Sequence, residues 1–184
     1  QNIDKLKTNY KLIPISDERI DIVDYLNSIK NGIGAYYLSD NNIYSVILIV
    51  FGWLVTSPLM GIFMIYGLFL GSGITILFGV KKSTYILGLH TLNCITPSMN
   101  IGGMYFVPKL FNMVNMTLGI FLSIILTSAC INFMGKLDII SLTISSMLVN
   151  SIFQISIWES KNLIPINLNN ITTCEDHLRR STLR

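Results

Sequence analysis

Charge is what this chain has least of. Between residues 43 and 158 the only charged side chains are Lys81, Lys82, Lys109, Lys136 and Asp138. Charged residues make up 12% of the chain, about half the share of an average soluble domain. A soluble core is cut by solvated loops more often than this. Catalytic groupings are missing too: no Ser/His/Asp set, paired carboxylates, phosphate loop or metal-ligand cluster can be assembled from the sequence. The three cysteines, Cys94, Cys130 and Cys174, have no CxxC or zinc spacing. Cys94 and Cys130 read as small buried apolar residues. A net charge of +3 without a basic stripe excludes nucleic acid as a partner. Asp4, Lys5 and Lys7 interrupt any apolar core of a secretory signal. The chain opens on Gln1 rather than Met, as expected of a fragment or processed product.

What is present is length without charge. Hydrophobic residues reach 51%, and roughly 20 consecutive apolar residues suffice for one spanning helix. The uncharged run over residues 43–80 would be about 57 Å long as one helix, nearly twice the ~30 Å hydrocarbon core. It must fold back. Ser57-Pro58 is the natural break, because proline has no amide to donate and clashes with the preceding turn. Gly67, Gly71 and Gly73 then allow close approach of a neighbouring helix. Residues 85–107 are apolar but broken by Asn93, Pro97, Asn100 and Gly102-Gly103. Backbone this irregular at membrane depth must be buried in protein or line a cavity. Residues 110–135 are the cleanest spanning helix. Residues 139–158 start polar, with Ser141, Thr143, Ser145 and Ser146, as if the first half faced something wet.

The division expected is a polar linker or interfacial helix over residues 1–29, a membrane domain over 30–158 and a polar tail over 159–184. Ser16 is read as the N-cap of an amphipathic helix with Ile20, Ile22, Val23, Leu26 and Ile29 near one face. Residues 31–42 fit either a surface loop or a re-entrant half-helix. The basic end of the tail places it in the cytoplasm, where the Asn170-Ile171-Thr172 sequon goes unused.

The uncharged region lacks the carboxylates that ion-coupled carriers and proton pumps keep at depth. It offers amides and hydroxyls instead: Asn93, Asn100, Asn132, Thr143, Asn150 and Gln154. Such a set suits a small neutral polar solute or simple interhelical hydrogen bonding. His90 reads as a satisfied polar residue at a helix interface, with a pathway role as the alternative.

Residues 88–106, GLHTLNCITPSMNIGGMYF, resemble the signature of the urea transporter family, in particular the second half of its vertebrate erythroid and kidney members. Gly88, Leu89, Asn93, Ile101, Gly102, Gly103 and Met104 keep that pattern at its spacing. Ser57-Pro58-Leu59-Met60 and Asn132-Phe133-Met134 are similar to two further family blocks, and Thr143 stands where the family has the threonine of Thr-Trp-Pro-Phe. The resemblance implies the second half of an inverted-repeat urea channel with a re-entrant half-helix, assembled as a homotrimer in the cell membrane. It implies passive urea movement, no cofactor and no metal.

This chain also departs from the family. Ala35 replaces the glutamine of the family's Gly-Gln-Ile-Tyr block, and Tyr36 follows it. Leu92 stands for an aromatic, His90 for tryptophan, and Ser145-Ser146 for proline and phenylalanine. The pathway residues expected on this basis are Thr143, Asn93, Leu92, Ala35, Tyr36 and Ser141. The alternatives are a degenerate copy that conducts poorly or takes another small neutral solute, and a non-transporting membrane scaffold. An enzyme is the least favoured class.

Overall fold

A computed structural model describes residues 19–39, 42–137, 143–156, 164–166, 169 and 171–183. Among them the structure is built from helices, with one isolated antiparallel bridge between Phe106 and Pro165. The all-α expectation holds.

Helix α1 spans Ile22–Tyr36. Its start corrects the sequence reading: Asp21 is extended, and its N–H is taken by the Asp24 carboxylate at 2.9 Å. Ser16 lies outside the described residues. The helix runs straight through residues 31–36, so one element covers the end of the expected linker and the first part of the segment left open between loop and half-helix. Ile22, Val23 and Leu26 are exposed, while Ser28, Gly32, Ile33 and Gly34 are buried. The face that meets protein is therefore the small-residue face.

Helix α2 (Ile43–Thr56) starts where the Asn42 side chain accepts the Tyr44 N–H, and it ends at Ser57. Ser57 is extended, and Pro58 opens α3 (Pro58–Leu77). The hinge expected at Ser57-Pro58 is there, with the Ser57 hydroxyl capping the Met60 N–H. At 20 residues, α3 is about 30 Å long and matches the hydrocarbon core. Among the described residues it is one of two helices long and apolar enough to cross a membrane; the other is α6 (Leu110–Gly135).

Between them lies the buried centre. A short α4 (Lys82–Ile86) leads to Gly88, whose φ of 73° starts α5 (Leu89–Met99). A side chain at Gly88 would strike the α1 backbone, with the Gly32 nitrogen 2.5 Å and the Ser28 oxygen 2.7 Å from a Cβ. Glycine is required there by conformation and by space. Every residue of α5 except Thr96 is buried. On α3, Gly71 receives Cys94 of α5, whose sulfur would lie 2.5 Å from a Cβ, and Gly67 receives Ser98 in the same way. Gly73 has no neighbour within 4 Å, so the small-residue contact comprises two of the three expected glycines.

The irregular backbone after α5 is compensated group by group, as buried peptide groups demand. A π-turn over Asn100–Met104 follows α5, closed by the Tyr105 N–H on the Asn100 carbonyl at 2.8 Å. The Asn112 amide of α6 donates to the carbonyls of Ile101 (2.7 Å) and Gly102 (2.8 Å). The tail supplies the rest. Ile166 donates to Tyr105 and Val107 to Ile164 across the isolated bridge. Helix α8 (Cys174–Thr182) docks beside the turn, and helix α7 (Ile144–Ser156) packs on α5 and α6.

Candidate functional site

The start of α7 meets α5 and α6 in a buried polar seam. Its origin is Pro97. Proline has no N–H, so the Asn93 carbonyl one turn earlier loses its helical partner. The Ser123 hydroxyl of α6 takes that place, donating to Asn93 O at 2.7 Å. The Asn93 amide nitrogen donates to Leu89 O at 2.9 Å, and its amide oxygen accepts the Ser146 N–H at 3.4 Å. Ser145 and Thr127 pair through their hydroxyls at 2.7 Å. Asn93, Ser123, Thr127 and Ser145 are fully buried and Ser146 nearly so.

Thr143 precedes this seam. Its carbonyl accepts the Met147 N–H at 3.0 Å and the Ser146 hydroxyl at 2.9 Å. The threonine is half-buried. Ala35 and Tyr36, at the far end of α1, are half-buried as well, with Tyr36 set edge-on to Tyr37. Leu92 and Asn93 are enclosed, at 1% and 0% exposure, and so sit behind any surface this chain offers to a solute. Helices α1 and α7 both pack on α5, the helix that carries Leu92 and Asn93. Ser141 lies outside the described residues.

The expectation that the polar start of residues 139–158 faces something wet is corrected for Ser145 and Ser146, which are closed in by protein. Ser123 and Thr127 were not foreseen. They sit on the most apolar spanning helix, and the only sequence signal for them is a proline on a different helix. His90 is 3% exposed, and its Nε2 lies 3.0 Å from the Ser128 hydroxyl, as an interface residue would be. Its Nδ1 has no hydrogen-bond partner among the described residues. No group of His, Cys, Asp or Glu that could hold a metal occurs among the described residues.

At the polar edges two carboxylates, Asp24 and Glu175, are tied down. Asp24 pairs with Lys82 at 2.9 Å. The Asp21 N–H, then Lys82, hold its carboxyl below the ordinary value. Glu175 on α8 accepts the Ser57 hydroxyl and the Leu59 N–H, both at 2.7 Å, at the start of α3. Burial works against its charge, but the bonds from Leu59 and Ser57 outweigh that, and the pKa is lowered. Burial first, and Glu175 second, push the Cys174 thiol up to about 12, so it stays protonated.

A family model described as Urea transporter matches residues 3–156, well over half of the chain. The chain belongs to the urea transporter family. The match takes in α1 to α7 and stops as the described part of α7 ends, so the α8 tail lies beyond it. Among curated proteins none matches the chain. Membership supports urea transport at the level of the family, a transporter family rather than an enzyme family, and a membrane setting for α3 and α6.

Proposed function

We propose that this urea transporter chain forms one half of a passive, channel-like pore for urea. The observation that carries the reading is the family match over 3–156 together with the site at the start of α7. There, half-buried Thr143 stands at the edge of a seam whose other polar groups are already bonded to protein. A planar neutral solute leaving water needs a hydrogen-bond partner for each group it desolvates. A hydroxyl held at the rim of a closed seam offers one. An ion cannot be compensated so cheaply in an uncharged setting, so it is excluded.

In this reading Thr143, Ala35, Tyr36 and Ser141 line the path, and Leu92 and Asn93 back it. A second half of similar fold supplies the opposing wall, three copies assemble in the cell membrane, and the basic tail faces the cytoplasm. The protein uses no cofactor. The linker, membrane and tail divisions at residues 29–30 and 158–159 belong to the same proposal.

One observation favours a second reading. The Asn93 amide, which would serve a solute, is spent on Leu89 and Ser146, and Ala35 carries no amide at all. A slot with so few free acceptors suits low urea conduction, another small neutral solute, or a scaffold. Vesicles carrying the full-length protein decide between the readings: urea permeability well above empty vesicles, with no matching sodium leak, supports the pore. Permeability equal to empty vesicles supports the scaffold.

A further inference from the structure

We propose that Ser145 and Thr127 are positioning residues for the solute path, holding the start of α7 so that Thr143 keeps its place. The inference rests on the pore reading for its consequence in transport, but on hydrogen-bond directions for its mechanism.

The directions follow from proton counting. Thr127 Oγ1 has one proton and lies 2.7 Å from the Ser123 carbonyl, which can only accept. That proton is committed, so Thr127 Oγ1 accepts from the Ser145 hydroxyl at 2.7 Å. Ser123 in turn gives its own proton to the Asn93 carbonyl that Pro97 leaves open. The Asn93 amide oxygen then receives the Ser146 N–H. A chain of bonds thus leaves α7 at Ser145, crosses α6, reaches α5 and returns to α7 at Ser146.

The N–H groups of the first helical turn have no partner within the helix. At the start of α7 the circuit supplies one of them, and it anchors Ser145 two residues after Thr143. All five members are at most 1% exposed, so no water replaces a lost bond. A binding group must be held within about half an ångström by locked neighbours. For Thr143 those neighbours are Ser146, through the Thr143 carbonyl, and Ser145 with Thr127 behind it.

The test reads position and transport separately, in the full-length protein. Thr143→Cys is placed in a Cys130→Ser background, in which Cys94 and Cys174 are buried, and its labelling rate by N-ethylmaleimide is measured. Thr127→Val and Ser145→Ala are each expected to shift that rate, and urea permeability with Thr143 intact, by about three- to tenfold. The permeability ratio of urea to methylurea should move with them, and Thr127→Ser, which keeps the hydroxyl, should restore all three. A merely structural role would lower thermal stability in Thr127→Val and Ser145→Ala while leaving labelling rate and solute ratio unchanged, which overturns the proposal. Labelling that follows Thr127 in a protein without urea flux would sink the pore reading alone.

Discussion

The imidazole of His177 bridges the tail to the π-turn: its Nδ1 lies 2.9 Å from the Gly103 carbonyl, 74 residues away in sequence. Its Nε2 accepts the Thr172 N–H at 2.9 Å. An N–H facing Nε2 leaves the ring proton on Nδ1, so the geometry selects one neutral tautomer. Cys174 packs its sulfur where a Gly103 side chain would be, and Glu175 caps the start of α3. The tail is therefore a clasp over irregular membrane backbone.

Removing the ring should open that clasp. His177→Ala leaves the buried Gly103 carbonyl without its partner, at a cost of about 1–3 kcal/mol, and releases the N–H of exposed Thr172 to solvent. Amide exchange over residues 171–183 should quicken by about tenfold or more, while α3 and α6 keep their protection. Unchanged exchange in the tail would contradict the clasp.

Acid should weaken the same contact through Glu175. Its folded pKa is lowered below the ordinary value of 4.5. A depressed carboxylate contributes stability that is fully present above its unfolded pKa and lost as pH falls through the folded value. Tail docking is thus expected to hold above pH 4.5 and to decline below it. Glu175→Gln should flatten that decline when tail exchange is followed against pH.

The bond between Ser123 and Asn93 should depend on Pro97. Ser123→Ala removes the hydroxyl that donates to the buried Asn93 carbonyl and should cost about 1–3 kcal/mol. In a Pro97→Ala background the N–H of residue 97 can return to that carbonyl, and Ser123→Ala should then cost markedly less. Thermal unfolding of the four proteins in detergent measures the coupling. Additive effects would mean the hydroxyl does not stand in for the missing amide.

Two glycines of α3 should behave oppositely. Gly71→Ala drives a methyl into the sulfur and Cβ of Cys94, at 2.5 and 2.8 Å, and should cost about 1–3 kcal/mol, part of which Cys94→Ala recovers. Gly73→Ala meets nothing within 4 Å and should be neutral or stabilising by up to about 1 kcal/mol, the helix preference of alanine over glycine. Melting temperatures of the two variants check the contrast.

Much of the fold was legible because membranes simplify the code. The scarcity of charge located α3 and α6, Ser57-Pro58 announced its hinge, and Pro97 with Gly102-Gly103 marked the irregular stretch. The start of α1 was misread because Ser16 and Asp21 are both good caps, and composition does not choose between them. Partners of the irregular backbone were illegible. Ser123, Asn112 and His177 look like ordinary polar residues until folding carries them to the carbonyls they serve. Ser145 and Ser146 looked like departures facing a wet surface, and only packing shows them enclosed.

The central claim is that urea crosses beside Thr143. Stopped-flow urea flux in vesicles carrying the full-length protein, wild type against Thr143→Val, tests it most directly. The valine keeps the shape and removes the hydroxyl, so urea permeability should fall by about tenfold, the loss of one hydrogen bond of ~1.4 kcal/mol in a desolvated path. Wild-type flux that Thr143→Val leaves unchanged would contradict the account.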